Sequence, residues 1–138
     1  DRFEVSAHKW SALVEGNRTW AGRAPLLVIA YAATHRANGK PNRYGWHDVG
    51  LANAALTVEA TSRGLGVHQM AGFSSADLEP VLPSPEGYEP VVALAIGHPG
   101  SATSLPEALA ERETAPRRRK PLAEVFELVD DASSADVA

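Results

Sequence analysis

Two uninterrupted apolar runs, Leu26 to Ala32 and Val91 to Ile96, constrain this chain more than any other feature. Neither alternates with polar residues, and each has the length of a strand, so each predicts a strand buried on both faces. Between them, Trp46 to Arg63 contains no proline and one glycine, Gly50. Its apolar residues, among them Trp46, Val49, Leu51, Leu56 and Val58, spread round nearly the whole circumference, which predicts a central or interface helix about 28 Å long. Arg63 in the last turn and Gly64 just past it are C-terminal helix signals.

The remaining segments fall around this frame. Ser6 to Val14 predicts a short amphipathic helix that stops at Gly16-Asn17, and Ala24-Pro25 opens the first strand. Thr34 to Tyr44, with Asn38-Gly39 and Pro41, predicts an exposed loop. Leu65 to Phe73 predicts a short strand and loop, after which Ser74 or Ser75 caps a helix running to Leu82 and halted by Pro83 and Pro85. Pro99 to Pro121 is polar and punctuated by proline, with a short helix over Pro106 to Arg112. Leu122 to Val129 is apolar enough to pack as an arm. The small, acidic residues Asp130 to Ala138 predict a disordered tail. The expected organisation is one domain over residues 1–129 and a tail over 130–138.

A chain of 138 residues buries a sizeable core, since a domain of this size removes roughly 68–70% of its unfolded surface from water. With no cysteine there is neither a disulfide framework nor a cysteine-ligated metal. A net charge of −4 argues against general nucleic-acid or anionic-membrane binding. No apolar run approaches the ~20 residues that span a bilayer, and the N-terminus is not signal-like, so a cytoplasmic protein is expected. Asp1 is not an initiator methionine, which suggests a processed chain or a piece of a longer one.

Candidate chemistry is sparse. The five histidines never fall at metal-ligand spacing. Asp48 beside His47 in a first helical turn is what the helix dipole favours without catalysis. Gly64-Leu65-Gly66 lacks the third glycine of a dinucleotide fingerprint and follows a helix, not a strand. Two features remain. Arg117, Arg118, Arg119 and Lys120 form a cationic run that reads either as solvated surface or as a phosphate clamp. Gln69-Met70-Ala71-Gly72-Phe73 places small residues after a strand, where the backbone could approach a flat ligand closely, as it also does in an ordinary turn.

Taken in order, Gly16 to Ala21, Ala24-Pro25 and the strand after it, Asp48-Val49-Gly50-Leu51-Ala52, Gly64-Leu65-Gly66, His68 to Phe73, Ile96-Gly97-His98-Pro99 and Arg117 to Leu122 resemble the nitroreductase family of flavin mononucleotide (FMN) enzymes. The resemblance covers about Leu13 to Phe126. It implies an α+β homodimer with a mixed sheet flanked by helices, and FMN in a cleft built from both subunits. Trp46 to Arg63 would be the long interface helix and Leu122 to Leu128 the arm that wraps the partner. Gln69, Met70, Ala71 and Gly72 would line the isoalloxazine edge, and Arg117 and Arg119 would bind the FMN phosphate.

The implied reaction moves reducing equivalents from NAD(P)H through FMN to a small acceptor such as a nitroaromatic or quinone. Flavin chemistry asks the protein for placement and electronics more than for an acid–base pair, which agrees with the sparse constellation. The alternative is a non-catalytic flavin-binding or flavin-sequestering dimer. The family's N-terminal Arg-Arg-Ser-type motif and Asn-x-Gln-Pro-Trp segment are absent, and Ala54-Ala55 stands where the family carries Gln-Asn. These 138 residues alone are therefore expected to bind FMN weakly or not at all. An upstream segment is expected to strengthen binding by at least ~100-fold, about 2.7 kcal/mol.

Overall fold

The computed structural model describes residues 11–127. Their α+β arrangement runs α1 (Glu15–Ala21), β1 (Leu26–Ala33), α2 (Gly45–Ser62), β2 (Gly66–Met70), α3 (Ser75–Leu78), β3 (Tyr88–Gly97) and α4 (Glu107–Thr114). Single 3-10 turns sit at Ala102–Ser104 and Leu122–Glu124. The chain divides into two compact units, Asp1–Ser101 and Ala102–Ala138, and the sheet lies wholly in the first. No helix among the described residues is long and apolar enough to cross a membrane.

The strand order is β1-β3-β2, with β3 antiparallel to both neighbours. β1 and β2 therefore point the same way, and α2 is the crossover that carries the chain back to start β2, with β3 inserted between them. All pairings among the described strands are antiparallel; the parallel pair of a mixed sheet is not among them. Pro90 cannot donate to a ladder, and the register shifts opposite it, between Ala30 and Tyr31, so that Val91 forms a bulge.

Of the two apolar runs, only the second is buried on both faces: Ala93, Leu94, Ala95 and Ile96 are consecutive and all buried. β3 has a strand on each edge and cover on each face. β1 departs from the expectation, being mostly half-buried with Leu26 41% exposed, because it is an edge strand of this sheet. Alternation sorts the faces. Leu27, Ile29, Met70, Ala93 and Ala95 gather on one side with Leu13, Trp20, Ala21, Ala24 and Phe73. On the other side α2 packs against β1 and β2, burying Asn53 and Ala60 and half-burying Val49, Leu56 and Thr57.

That spacing is one helical face, so the apolar residues left over face outward. Leu51 is 61% and Val58 71% exposed, with exposed Ala54 and Ala55 between them. The helix ends as its sequence directs. Gly64 takes a left-handed conformation (φ 76°), and Leu65 N–H bonds back to Ala60 O at 3.0 Å.

Two sequence expectations fail locally. Gly16-Asn17 does not stop a helix but lies inside α1, which starts at Glu15. Val14 is extended, donates its N–H to Gly72 O and accepts from the Asn17 and Arg18 N–H groups, so a tertiary pin starts the helix where local propensity would end one. Residues 6–10 of the expected first helix lie outside the described residues. α3 is capped by the Ser74 side chain as expected, but it ends at Leu78 and not Leu82. Pro80 supplies no N–H for the next helical bond, and Val81 and Leu82 turn back onto Leu78 O instead. In the second unit α4 forms where a short helix was expected, and the start of the arm is a 3-10 turn with Leu122, Val125 and Phe126 exposed. Leu128, Val129 and the tail over 130–138 lie outside the described residues.

Candidate functional site

Gln69 and Met70 are the last residues of β2, and Ala71 and Gly72 follow at once, so the structure keeps four of the sequence-predicted site residues together at one strand end. Their side chains go different ways. Met70 is 3% exposed and belongs to the core beside Ala93, which leaves its backbone as the only part open to a ligand. Gln69 lies on the opposite face, exposed, and its Nε2 donates to Thr57 Oγ1 at 3.3 Å. Thr57 Oγ1 in turn donates to Asn53 O at 2.7 Å.

This short relay fixes the orientation of the Gln69 amide. A hydroxyl has one proton, and that of Thr57 is committed to the Asn53 carbonyl, so toward Gln69 its oxygen only accepts. Gln69 must then turn its NH₂ toward α2 and its Oε1 away from it. Beneath the relay the Asn53 side chain is 6% exposed, and its Nδ2 has no hydrogen-bond partner. A buried donor left in this state costs about 1–3 kcal/mol. Thr57 carries no sequence signal for this role, because threonine at that position of an apolar helix reads as ordinary packing.

The loop after β2 is clamped. Gly72 O accepts from Val14 N–H and from Asn17 Nδ2, each at 3.0 Å, and Ser74 N–H donates to Ala12 O at 2.7 Å. A Cβ at Gly72 would stand 2.7 Å from Asn17 Nδ2 and 2.9 Å from Val14 Cγ2. The close approach that the small residue allows is thus taken up by the start of α1. Ala71, by contrast, is exposed. Trp20 covers the neighbouring His68 edge-on, with ring centroids 4.6 Å apart. Asn17 is a second residue that sequence reasoning missed, since Gly-Asn reads as a helix stop.

Topology gives this strand end its surroundings. Met70 and Ile29 both pair with Ala93, while Ala33 pairs with Tyr88, so β1 and β2 end on the same side of the sheet and β1 runs four residues further. The loop 34–44 leaves from there, and α2 begins there.

Arg117 and Arg119 lie in the second unit, in an exposed segment without regular secondary structure. Arg119 Nη1 donates to Arg118 O at 3.0 Å. Among the described residues none of Arg117, Arg118, Arg119 and Lys120 is paired with a carboxylate, so all four charges are available to an anion. No three His, Asp or Glu side chains among the described residues gather as a metal site.

Comparison with known proteins points one way. Residues 2–98 match the Nitroreductase family. An uncharacterized 15.4 kDa protein in the ask 5′ region of Mycolicibacterium smegmatis is 36% identical over 115 residues, 83% of this chain and 77% of that protein. A crystal structure of an oxidoreductase containing FMN superposes with a TM-score of 0.79 at 33% identity, covering 86% of this chain. The chain spans 61% of that oxidoreductase's length. A nitroreductase family protein from Streptococcus pneumoniae TIGR4 shares the fold, with a TM-score of 0.68 at 16% identity over 89% of this chain and 74% of its own. With its sequence matched over residues 2–98 and its strand order embedded in this fold, the chain belongs to the nitroreductase family.

Proposed function

We propose that the chain is a flavin oxidoreductase that holds FMN and passes reducing equivalents from NAD(P)H to nitroaromatic or quinone-type acceptors, working as a homodimer. The observation that carries this reading is the Gln69 to Gly72 run at the carboxyl end of β2, with the Gln69 amide fixed by Thr57. The similarity to an oxidoreductase containing FMN supports it.

Each unit, taken by itself, holds groups suited to such a cofactor. Gln69 offers an oriented Oε1 acceptor, and Ala71 offers backbone with little side chain in the way. Arg117 and Arg119 offer unpaired guanidinium groups for the phosphate, which they would hold by charge-assisted bonds. When bound, FMN would supply the chemistry of accepting hydride from NAD(P)H and passing the electrons on to the acceptor. The protein's part is to bind and orient the ring and to exclude water from it. The outer face of α2, with Leu51 61% and Val58 71% exposed, is the apolar surface that a second copy would cover. The arm from Leu122 to Leu128 would wrap the partner subunit.

Titration of the protein with FMN, followed by flavin fluorescence, tests the reading. Saturable quenching at one FMN per chain is expected, and an unquenched titration at high protein concentration would overturn it. Saturable quenching with no reduction by NADPH would indicate a flavin-sequestering protein instead.

A further inference from the structure

The loop from Thr34 to Tyr44 carries a cluster that the flavin reading does not use. Arg36, Lys40 and Arg43 bring three positive charges to a chain whose net charge is −4. The Arg36 guanidinium lies 5.7 Å and that of Arg43 5.2 Å from the centre of the Tyr44 ring. Two guanidinium groups on one ring repel each other. Among the described residues neither is paired with a carboxylate.

The loop that presents them is firmly built. Arg36 N–H donates to Lys40 O and Gly39 N–H to Arg36 O, each at 2.8 Å, and Asn42 N–H donates to Thr34 O at 2.7 Å. Thr34 is tied by its N–H and its hydroxyl to Gly87 O, at 2.8 and 2.9 Å. A guanidinium held near an aromatic ring by cation–π attraction spends none of its N–H donors on it, and those donors match a phosphate.

We infer that Arg36 and Arg43, both held beside the Tyr44 ring, form a binding site for the 2′-phosphate monoester of an adenine dinucleotide, and so select NADPH over NADH. The inference rests on the flavin reading for the dinucleotide's presence at this face. Position argues for a dinucleotide rather than any phosphate. The loop leaves β1 four residues past the level of Met70, about 13 Å further along the same end of the sheet. A nucleotide reaching from the Gln69 end would lay its far phosphate there. Lys40 adds charge without fork geometry.

The test uses the full chain without FMN. Adenosine 2′,5′-bisphosphate and 5′-AMP are titrated separately at low ionic strength, followed by backbone amide NMR shifts. The bisphosphate is expected to bind at least tenfold more tightly, with shifts centred on Arg36 to Tyr44. Arg36→Ala and Arg43→Ala should each weaken it fivefold or more while leaving 5′-AMP unchanged. Arg43→Lys, which keeps the charge and loses the fork, should resemble Arg43→Ala, and it stands in for that variant if the alanine form fails to fold.

Equal affinity for the two nucleotides, or shifts centred elsewhere, would overturn the inference. So would inorganic phosphate displacing the bisphosphate at equal concentration, which would show general anion binding. Because these measurements omit flavin, nucleotide discrimination by a protein that binds no FMN would refute the flavin reading and leave this site standing. FMN binding without nucleotide discrimination would do the reverse.

Discussion

Gly72→Ala is the substitution whose cost follows most directly from the geometry. The new methyl would stand 2.7 Å from Asn17 Nδ2 and 2.9 Å from Val14 Cγ2, and both separations require movement. Asn17 can swing its amide away, losing the bond to Gly72 O, worth about 1 kcal/mol in a half-buried setting. Val14 is held by its own N–H bond to Gly72 O, and as a β-branched residue it has few rotamers to try. It is also 49% exposed, so its strain falls at the low end of overpacking costs, about 1 kcal/mol. The sum is about 2 kcal/mol, a fall in melting temperature of about 8 °C for a chain of this size. Chemical denaturation gives the free energy, and a scan gives the temperature. Val14→Ala in the Gly72→Ala background should recover about half of the loss. A Gly72→Ala protein as stable as wild type would show that α1 does not clamp this loop.

Arg117→Ala together with Arg119→Ala should weaken FMN binding by about 1.5–3 kcal/mol per lost charge-assisted bond and leave the melting temperature of the ligand-free protein nearly unchanged. Fluorescence titration beside a thermal melt reads both. If the proposed homodimer forms through the outer face of α2, Leu51→Glu with Val58→Glu should convert it to a monomer in sedimentation at micromolar concentration, because both positions are exposed there. Burial first and the Glu79 charge second raise the Tyr31 hydroxyl above its usual pKa of 10.0, against a smaller opposing hydrogen bond from Ser84. The neutral phenol is therefore favoured in the fold. Its contribution is intact below about pH 10 and is lost as pH rises through the folded pKa, so Tyr31→Phe should flatten the alkaline fall in stability.

Much of the architecture was legible from residues whose signals agree at every level. Val91 to Ile96 reads as a doubly buried strand because it is one, and Gly64 ends α2 because a left-handed residue is needed there. The all-round apolar character of α2 was legible as well: the face bearing Asn53 and Ala60 lies on the sheet, and the face bearing Leu51 and Val58 remains open. Gly16-Asn17 was misread because its conformation is set by Gly72, 55 residues away, and local propensity carries no trace of that bond. Pro80 ends α3 before Pro83 and Pro85 can, because it is the first residue after Leu78 without an N–H to donate. At the candidate site, the position of Gln69 to Gly72 followed from the order of motifs. The tether through Thr57 and the approach of Arg36 and Arg43 to the Tyr44 ring are side-chain geometry that spacing does not encode.

The central claim is tested most directly by anaerobic reduction. With the protein saturated by FMN and NADPH added in excess, the account predicts that the flavin's visible absorption band bleaches many times faster than that of free FMN under the same conditions, and returns when a quinone is admitted. A band that bleaches no faster with the protein than without it would contradict the oxidoreductase reading.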